Sequence, residues 1–171
     1  MKRFIITAMA VLTAAIAVNA QNTDWCDKYI DNMEKLQNLK PPKDCGIQAI
    51  DDAVATSKEI ADITAKTSPL VKVLYLSDYG LTVQGINDDM TSMSTLPDIS
   101  TVSKDIFDLA DKIRVLSESM KNIEDAAKSA KPMQALKATA SVKYISDVLA
   151  VTVSDSALNV ELINELTQKT E

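Results

Sequence analysis

The chain has 171 residues, 46 % apolar and 25 % charged, with a net charge of −6, no histidine and only three glycines. That length suits one domain with a sizeable core. The missing histidine excludes Ser–His–Asp and Cys–His catalysis and His-ligated zinc, haem or di-iron sites, and three glycines exclude a dinucleotide fingerprint and argue against a turn-rich β-sandwich.

The N-terminus reads as a secretory signal. Lys2 and Arg3 precede the uncharged apolar stretch Phe4 to Val18, and Val18-Asn19-Ala20 ends in a small residue suited to cleavage. The apolar run, about 15 residues, is short of the roughly 20 that cross a bilayer. Residues 1–20 are therefore read as a signal peptide and 21–171 as a single helical-bundle domain, exported to the periplasm or the extracellular space. Losing Lys2 and Arg3 with residues 1–20 takes the net charge from −6 to −8 over 151 residues. That balance opposes nucleic-acid binding and simple electrostatic attachment to anionic lipid.

The next signal is a cysteine pair. Cys26 and Cys45 in an exported chain predict an intramolecular disulfide, worth about 3 kcal/mol through the unfolded state, with two buried thiols as the alternative. Their spacing is unlike a redox Cys-x-x-Cys.

Prolines at 41–42, 69, 97 and 132 punctuate the chain, and apolar residues recur at helical spacing between them. Five helical segments follow, about 24–39, 45–66, 69–86, 98–130 and 132–168. The first steps through Cys26, Tyr29, Met33 and Leu36. The second steps through Ile47, Ile50, Val54 and Ala61, with Ser57 and Thr64 in the stripe. A disulfide between the starts of these two helices requires residues 37–44, including Lys40-Pro41-Pro42-Lys43, to run back along the first.

The third segment carries two readings. Ser68-Pro69 is a good helix start, while Leu70 to Leu76, Ser77-Asp78-Tyr79-Gly80 and Leu81 to Ile86 also fit a β-hairpin. Helix is preferred, followed by a polar linker over 87–97. This apolar, glycine-containing stretch between long helices resembles the insertion tongue of helical pore-forming toxins. The resemblance covers 70–86 alone and implies a membrane-active role as an alternative function.

The fourth segment is the clearest. Ile99, Val102, Ile106, Leu109, Ile113, Leu116, Met120, Ile123, Ala127 and Ala130 alternate steps of three and four. Asp98, Asp105 and Asp108 sit early and Lys121, Lys128 and Lys131 late, which suits the helix dipole, with Asp98 as the expected cap. Such a seam serves a coiled coil with another chain or one helix of a bundle. Small flanking residues (Ser103, Ala110, Ser117, Ser119, Ala126) favour the bundle. The fifth segment is apolar but irregular: Val142, Ile145, Leu149, Val160, Ile163 and Leu166 share a face that Thr152 and Ser156 interrupt.

The expected fold is all-α, an elongated antiparallel bundle of four to five helices. The short link at Pro132 makes the last two helices antiparallel neighbours. That gathers Asp88, Asp89, Asp98, Asp105, Asp108, Asp111, Glu161 and Glu165 into an acidic interaction pole, with Lys121, Lys128, Lys131, Lys137 and Lys143 at the other end. Asn87-Asp88-Asp89 lacks the spacing of a calcium loop, and Met90, Met93, Met120 and Met133 read as core filler, not metal ligands. No metal, cofactor, small-molecule substrate or catalytic residue follows from the sequence. The expected function is non-catalytic: binding a protein partner, or a structural part of an envelope or secretion assembly. A His-free enzyme using paired carboxylates is a second alternative.

Overall fold

A computed structural model describes residues 24–78 and 98–168. They form four helices, α1 (Asp24–Asn38), α2 (Gln48–Asp78), α3 (Ile99–Lys128) and α4 (Pro132–Gln168). At about 1.5 Å per residue, the three long helices run roughly 45 to 55 Å. The protein is an elongated all-α bundle, and no strand occurs among the described residues.

Cross-helix contacts fix the directions. Gly46, just before α2, meets Gln134 near the start of α4, Ser68 meets Asp155, and Tyr75 meets Glu165. Helices α2 and α4 therefore run parallel. Helix α3 is antiparallel to both: its start (Val102, Ile106) packs with Val71, Tyr75, Leu158 and Leu162, and its end (Leu116, Ile123) with Ile50 and Ala138. Helix α1 lies over the α2–α4 face, with Tyr29 at the Val71–Leu158 level and Met33 and Leu36 on Val151. It runs antiparallel to α4, which completes an up-and-down bundle.

The α3 seam is buried within the chain. Val102, Ile106, Leu109, Ile113, Leu116 and Ile123 are all in the core. This matches the bundle reading of the seam. Asp98 occupies the N-cap with extended backbone, and its carbonyl accepts from the N–H groups of Thr101 and Val102. Its carboxylate makes no capping bond and instead accepts from the Ser100 hydroxyl.

The second and third predicted segments are one helix. Helix α2 runs through Pro69 without a break, so the predicted boundary at Ser68-Pro69 is corrected. Proline inside a helix costs about 3 kcal/mol. Tertiary packing overrides it here, because Thr64, Thr67, Ser68, Val71 and Lys72 are all buried around that point. Residues 70–78 are helical, so the hairpin alternative does not hold for its first half, and Val71, Tyr75 and Leu76 belong to the core. Residues 79–86, the rest of the tongue-like stretch, lie outside the described residues.

Polar residues in the α2 stripe are satisfied by their own helix. The hydroxyls of Ser57 and Thr64 donate to the carbonyls of Ala53 and Ile60 at 2.7 and 2.8 Å. Thr152 in α4 does the same to Val148. Such back-bonding lets a hydroxyl sit in an apolar seam.

Residues 39–47 run onward from α1 as extended chain, not back along it. The segment ends on α4, where Gln134 Nε2 donates to the Gly46 carbonyl at 3.1 Å and Lys137 Nζ approaches the Asp44 carbonyl at 3.4 Å. Gly46 has φ +78°, a left-handed conformation that favours glycine. This path corrects the disulfide expectation. Cys45 carries a free, buried thiol, and the side chain of Cys26 lies outside the described residues. Cys26 sits about one turn before Tyr29, which contacts Lys72 at the Asn159 level, whereas Cys45 sits at the Gln134 level. Those α4 positions are about 35 Å apart, and a disulfide needs Cα atoms within about 7 Å.

Candidate functional site

The most unusual chemistry lies inside the bundle. Ser68, Lys72, Asp155 and Asn159 are each 0 % exposed. Positions 68 and 72 are one turn apart on α2, and 155 and 159 one turn apart on α4, so two polar rungs face each other. Ser68 Oγ donates to Asp155 Oδ1 at 2.9 Å, and Lys72 Nζ donates to Asn159 Oδ1 at 2.5 Å and to Ser68 Oγ at 3.2 Å. The ammonium lies 3.6 Å from Asp155 Oδ1, and Asn159 Nδ2 donates to Asp155 Oδ2 at 2.8 Å. Tyr29 of α1 closes the top, its ring centroid 5.0 Å from Lys72 Nζ.

A serine beside a lysine has the composition of a nucleophile and its base. The geometry here serves something else. The Ser68 proton points to a carboxylate, its oxygen accepts from the ammonium, and no atom of the set reaches solvent. The set pairs a buried cation with a buried anion and joins α2 to α4 under α1. In the sequence Ser68 reads only as a helix start, and Lys72, Asp155 and Asn159 carry no predicted role. Their signal was present: Lys72 is the one charge in Leu70 to Leu76, and Asp155 and Asn159 continue the polar interruption begun by Thr152.

The predicted acidic pole is partly assembled. Asp98, Asp105 and Asp108 at the start of α3 share an end with Glu161 and Glu165 near the end of α4. Asp108 pairs with Lys104 at 2.5 Å, and Glu165 accepts from Tyr75 Oη at 2.6 Å. Asp105 and Glu161 are exposed. Asp111, less than one turn past Asp108, pairs with Arg114 at 2.6 Å. Asp88 and Asp89 lie outside the described residues. Of the predicted basic end, Lys128 and Lys143 are held by Asp125 and Asp147. Among the described residues, no group of three or more cysteine or acidic side chains converges as a metal site.

Two surface grooves are open to solvent. One runs between α1 and α4, lined by Asp31, Asn32, Lys35, Asp147 and Val151. The other runs between α2 and α3. Ala53, Leu116 and Ile123 form its floor, with Val115, 52 % exposed, at its edge. Its rim carries Asp52, Glu59 and Asp111 against the single cation Lys112, which pairs with Glu59 across the groove. The α2–α4 face is covered by α1 and residues 39–47, whereas no helix among the described residues covers the α2–α3 face.

Where residues 39–47 enter α2, Asp51 ties the turn together. Its carboxylate accepts from the N–H groups of Cys45 and Gly46 at 2.8 and 3.0 Å. Desolvation pushes the Asp51 carboxyl up, but the backbone N–H and thiol of Cys45 and the N–H groups of Gly46 and Ile47 outweigh it and hold it below its ordinary value. Burial, and then the Asp51 carboxylate beside it, pushes the Cys45 thiol up.

No helix among the described residues is long and apolar enough to cross a membrane. Comparison of the chain with protein-family models, curated proteins and solved structures gives no match.

Proposed function

We propose that this is an exported, non-catalytic binding protein that receives an amphipathic helix of a protein partner in the α2–α3 groove. The observation that supports this reading is the groove itself: an apolar floor of Ala53, Leu116 and Ile123 under a rim with more carboxylates than cations. A helix laid there contributes apolar anchors one turn apart and basic flanks toward Asp52 and Asp111. It takes the place that α1 takes on the α2–α4 face. Export rests on the sequence of residues 1–20, and the non-catalytic reading on the missing histidine and the enclosed Lys72 network.

A photo-cross-linking residue at Val115, introduced in the native host, tests the proposal. It is expected to trap a discrete partner protein that the same group at exposed Ala65 on α2 does not trap. With the photo-reactive residue kept at 115, Asp52→Lys with Asp111→Lys on the rim is expected to lower that product with an unchanged melting curve. Equal trapping from both positions, or none from 115, refutes the reading.

A further inference from the structure

The turn between α3 and α4 carries a second surface that the groove does not explain. Met133 is 94 % exposed and Leu136 83 %, while Phe107 and Val115, next in order, are each 52 %. Met133 and Leu136 are three residues apart on the first turn of α4, so both project from one face of the helix where it leaves the turn. Ala140, one turn on, is exposed on the same face. Single exposed apolar side chains are ordinary, but Met133, Leu136 and Ala140 form one contiguous strip at the tip of the bundle.

We propose that this turn rests on an anionic lipid surface, with Met133 and Leu136 in the headgroup region and Lys128, Lys131 and Lys137 on lipid phosphates. The lysines flank the apolar pair at the same end. Among the described residues Lys131 and Lys137 make no ion pair, Lys137 Nζ lies 3.4 Å from the Asp44 carbonyl, and Lys128 shares a 3.1 Å pair with Asp125. An apolar tip with a cationic collar is the pattern of interfacial anchoring. Each lysine held near such a surface is worth about fivefold in partitioning.

The net charge, −8 without residues 1–20, opposes attachment by charge alone, so the contact depends on the apolar pair together with the local lysines. Asp98, Asp105 and Glu161 lie at the far end of helices about 45 to 55 Å long. That is several Debye lengths of roughly 8 Å, so their repulsion is screened while the lysines touch the surface. Asp44, Glu124 and Asp125 are exposed at the lysine end, so the apolar pair, not a separation of charge, sets the end-on orientation. A second copy fits the patch less well. Two projecting side chains cannot supply the roughly 800 Å² per partner of a stable interface. A fluid headgroup layer needs no complementary cavity.

Co-sedimentation of the protein purified from its own source with lipid vesicles tests this. Phosphatidylcholine vesicles containing phosphatidylglycerol are expected to bind it, in a salt-sensitive way, and phosphatidylcholine alone to bind it at least about tenfold less. Met133→Ser with Leu136→Ser, and separately Lys131→Glu with Lys137→Glu, each lower binding by about tenfold or more. All four side chains are exposed, and unchanged melting curves confirm intact variants. Absence of binding to the anionic vesicles, or equal binding by the serine variant, overturns the proposal. So does a dimer in sedimentation velocity that the serine variant abolishes, which assigns the patch to a second copy. Neither result bears on Val115 cross-linking, so the two proposals fail separately.

Discussion

Replacing Asp155 with alanine tests the energetics of the buried network. The substitution removes the carboxylate that lies 3.6 Å from the buried Lys72 ammonium. It also takes away the acceptor of the Ser68 hydroxyl and of Asn159 Nδ2. Removing one partner of a buried ion pair costs about 3–5 kcal/mol. Against a typical total of 5–15 kcal/mol, that is a large share of the stability. With a urea slope of about 2 kcal/mol per M, the unfolding midpoint falls by roughly 2 M. Lys72→Met is milder, about 2–3 kcal/mol, because Asp155 keeps the donors of Ser68 and Asn159. The double variant Lys72→Met/Asp155→Leu has no buried charge, and the 3.4 Å contact of Ser68 Oγ with Asn159 Oδ1 remains. Its stability is expected within about 1 kcal/mol of the parent, against about 5 kcal/mol or more for the two single changes added together. Urea unfolding followed by circular dichroism measures all four proteins. A double variant as unstable as the sum of the singles, or a cost below about 1 kcal/mol for Asp155→Ala, refutes the reasoning.

Two further outcomes concern the entry to α2. The Asp51 carboxyl has a folded value below its unfolded one of about 3.9, so its contribution is complete above that pH and is lost as pH falls through the folded value. Asp51→Asn is expected to flatten this part of the acid-unfolding profile, and unchanged acid-limb slopes with and without the carboxylate contradict the assignment. Burial and a raised thiol value keep Cys45 from reacting with an aromatic disulfide reagent in the native protein, and unfolding releases it. Mass spectrometry of the unfolded, alkylated protein then finds Cys45 modified without prior reduction, whereas a peptide linking Cys26 to Cys45 contradicts the chain path described above.

The sequence was most legible where one helix face meets the core. Helix α3 packs chiefly on α2 and α4, so its buried residues form a narrow stripe, and the steps of three and four from Ile99 to Ile123 identify it. Helix α4 packs on α1, α2 and α3 at once. Its buried set includes Tyr144, Val148, Val151, Leu158 and Leu162 as well as the predicted Ile145, Leu149, Ile163 and Leu166, so no single period describes it. The break expected at Pro69 follows local propensity, which long-range packing overrides. The disulfide expectation followed compartment and count, and these carry no information about the direction taken by residues 39–47. The acidic end was legible only as a consequence of the antiparallel α3–α4 link. Ion pairs within α3 and the Tyr75–Glu165 hydrogen bond, which engage three of its carboxylates, depend on side-chain reach that a charge pattern does not show.

The buried polar rungs also explain how an almost featureless apolar interface selects one alignment. Ser68 and Lys72 on α2 meet Asp155 and Asn159 on α4 at the same sequence offset, and Gly46–Gln134 and Tyr75–Glu165 hold nearly that offset at either side. Apolar seams tolerate a slip of one heptad, because leucine replaces leucine across the interface. The rungs do not tolerate it. One heptad toward the C-terminus puts Leu162 opposite Ser68 and Leu166 opposite Lys72, and the buried ammonium then loses both Asp155 and Asn159. The desolvation cost of that arrangement, several kcal/mol per ion, exceeds what the displaced apolar contacts vary by. On this argument the network contributes little net stability and much uniqueness. The apolar Lys72→Met/Asp155→Leu variant keeps its midpoint but loses the sharp, singly populated amide spectrum of the parent. A spectrum as sharp as the parent's would place the register determinant elsewhere, with Asp51 and the Gly46–Gln134 contact as the remaining fixed points.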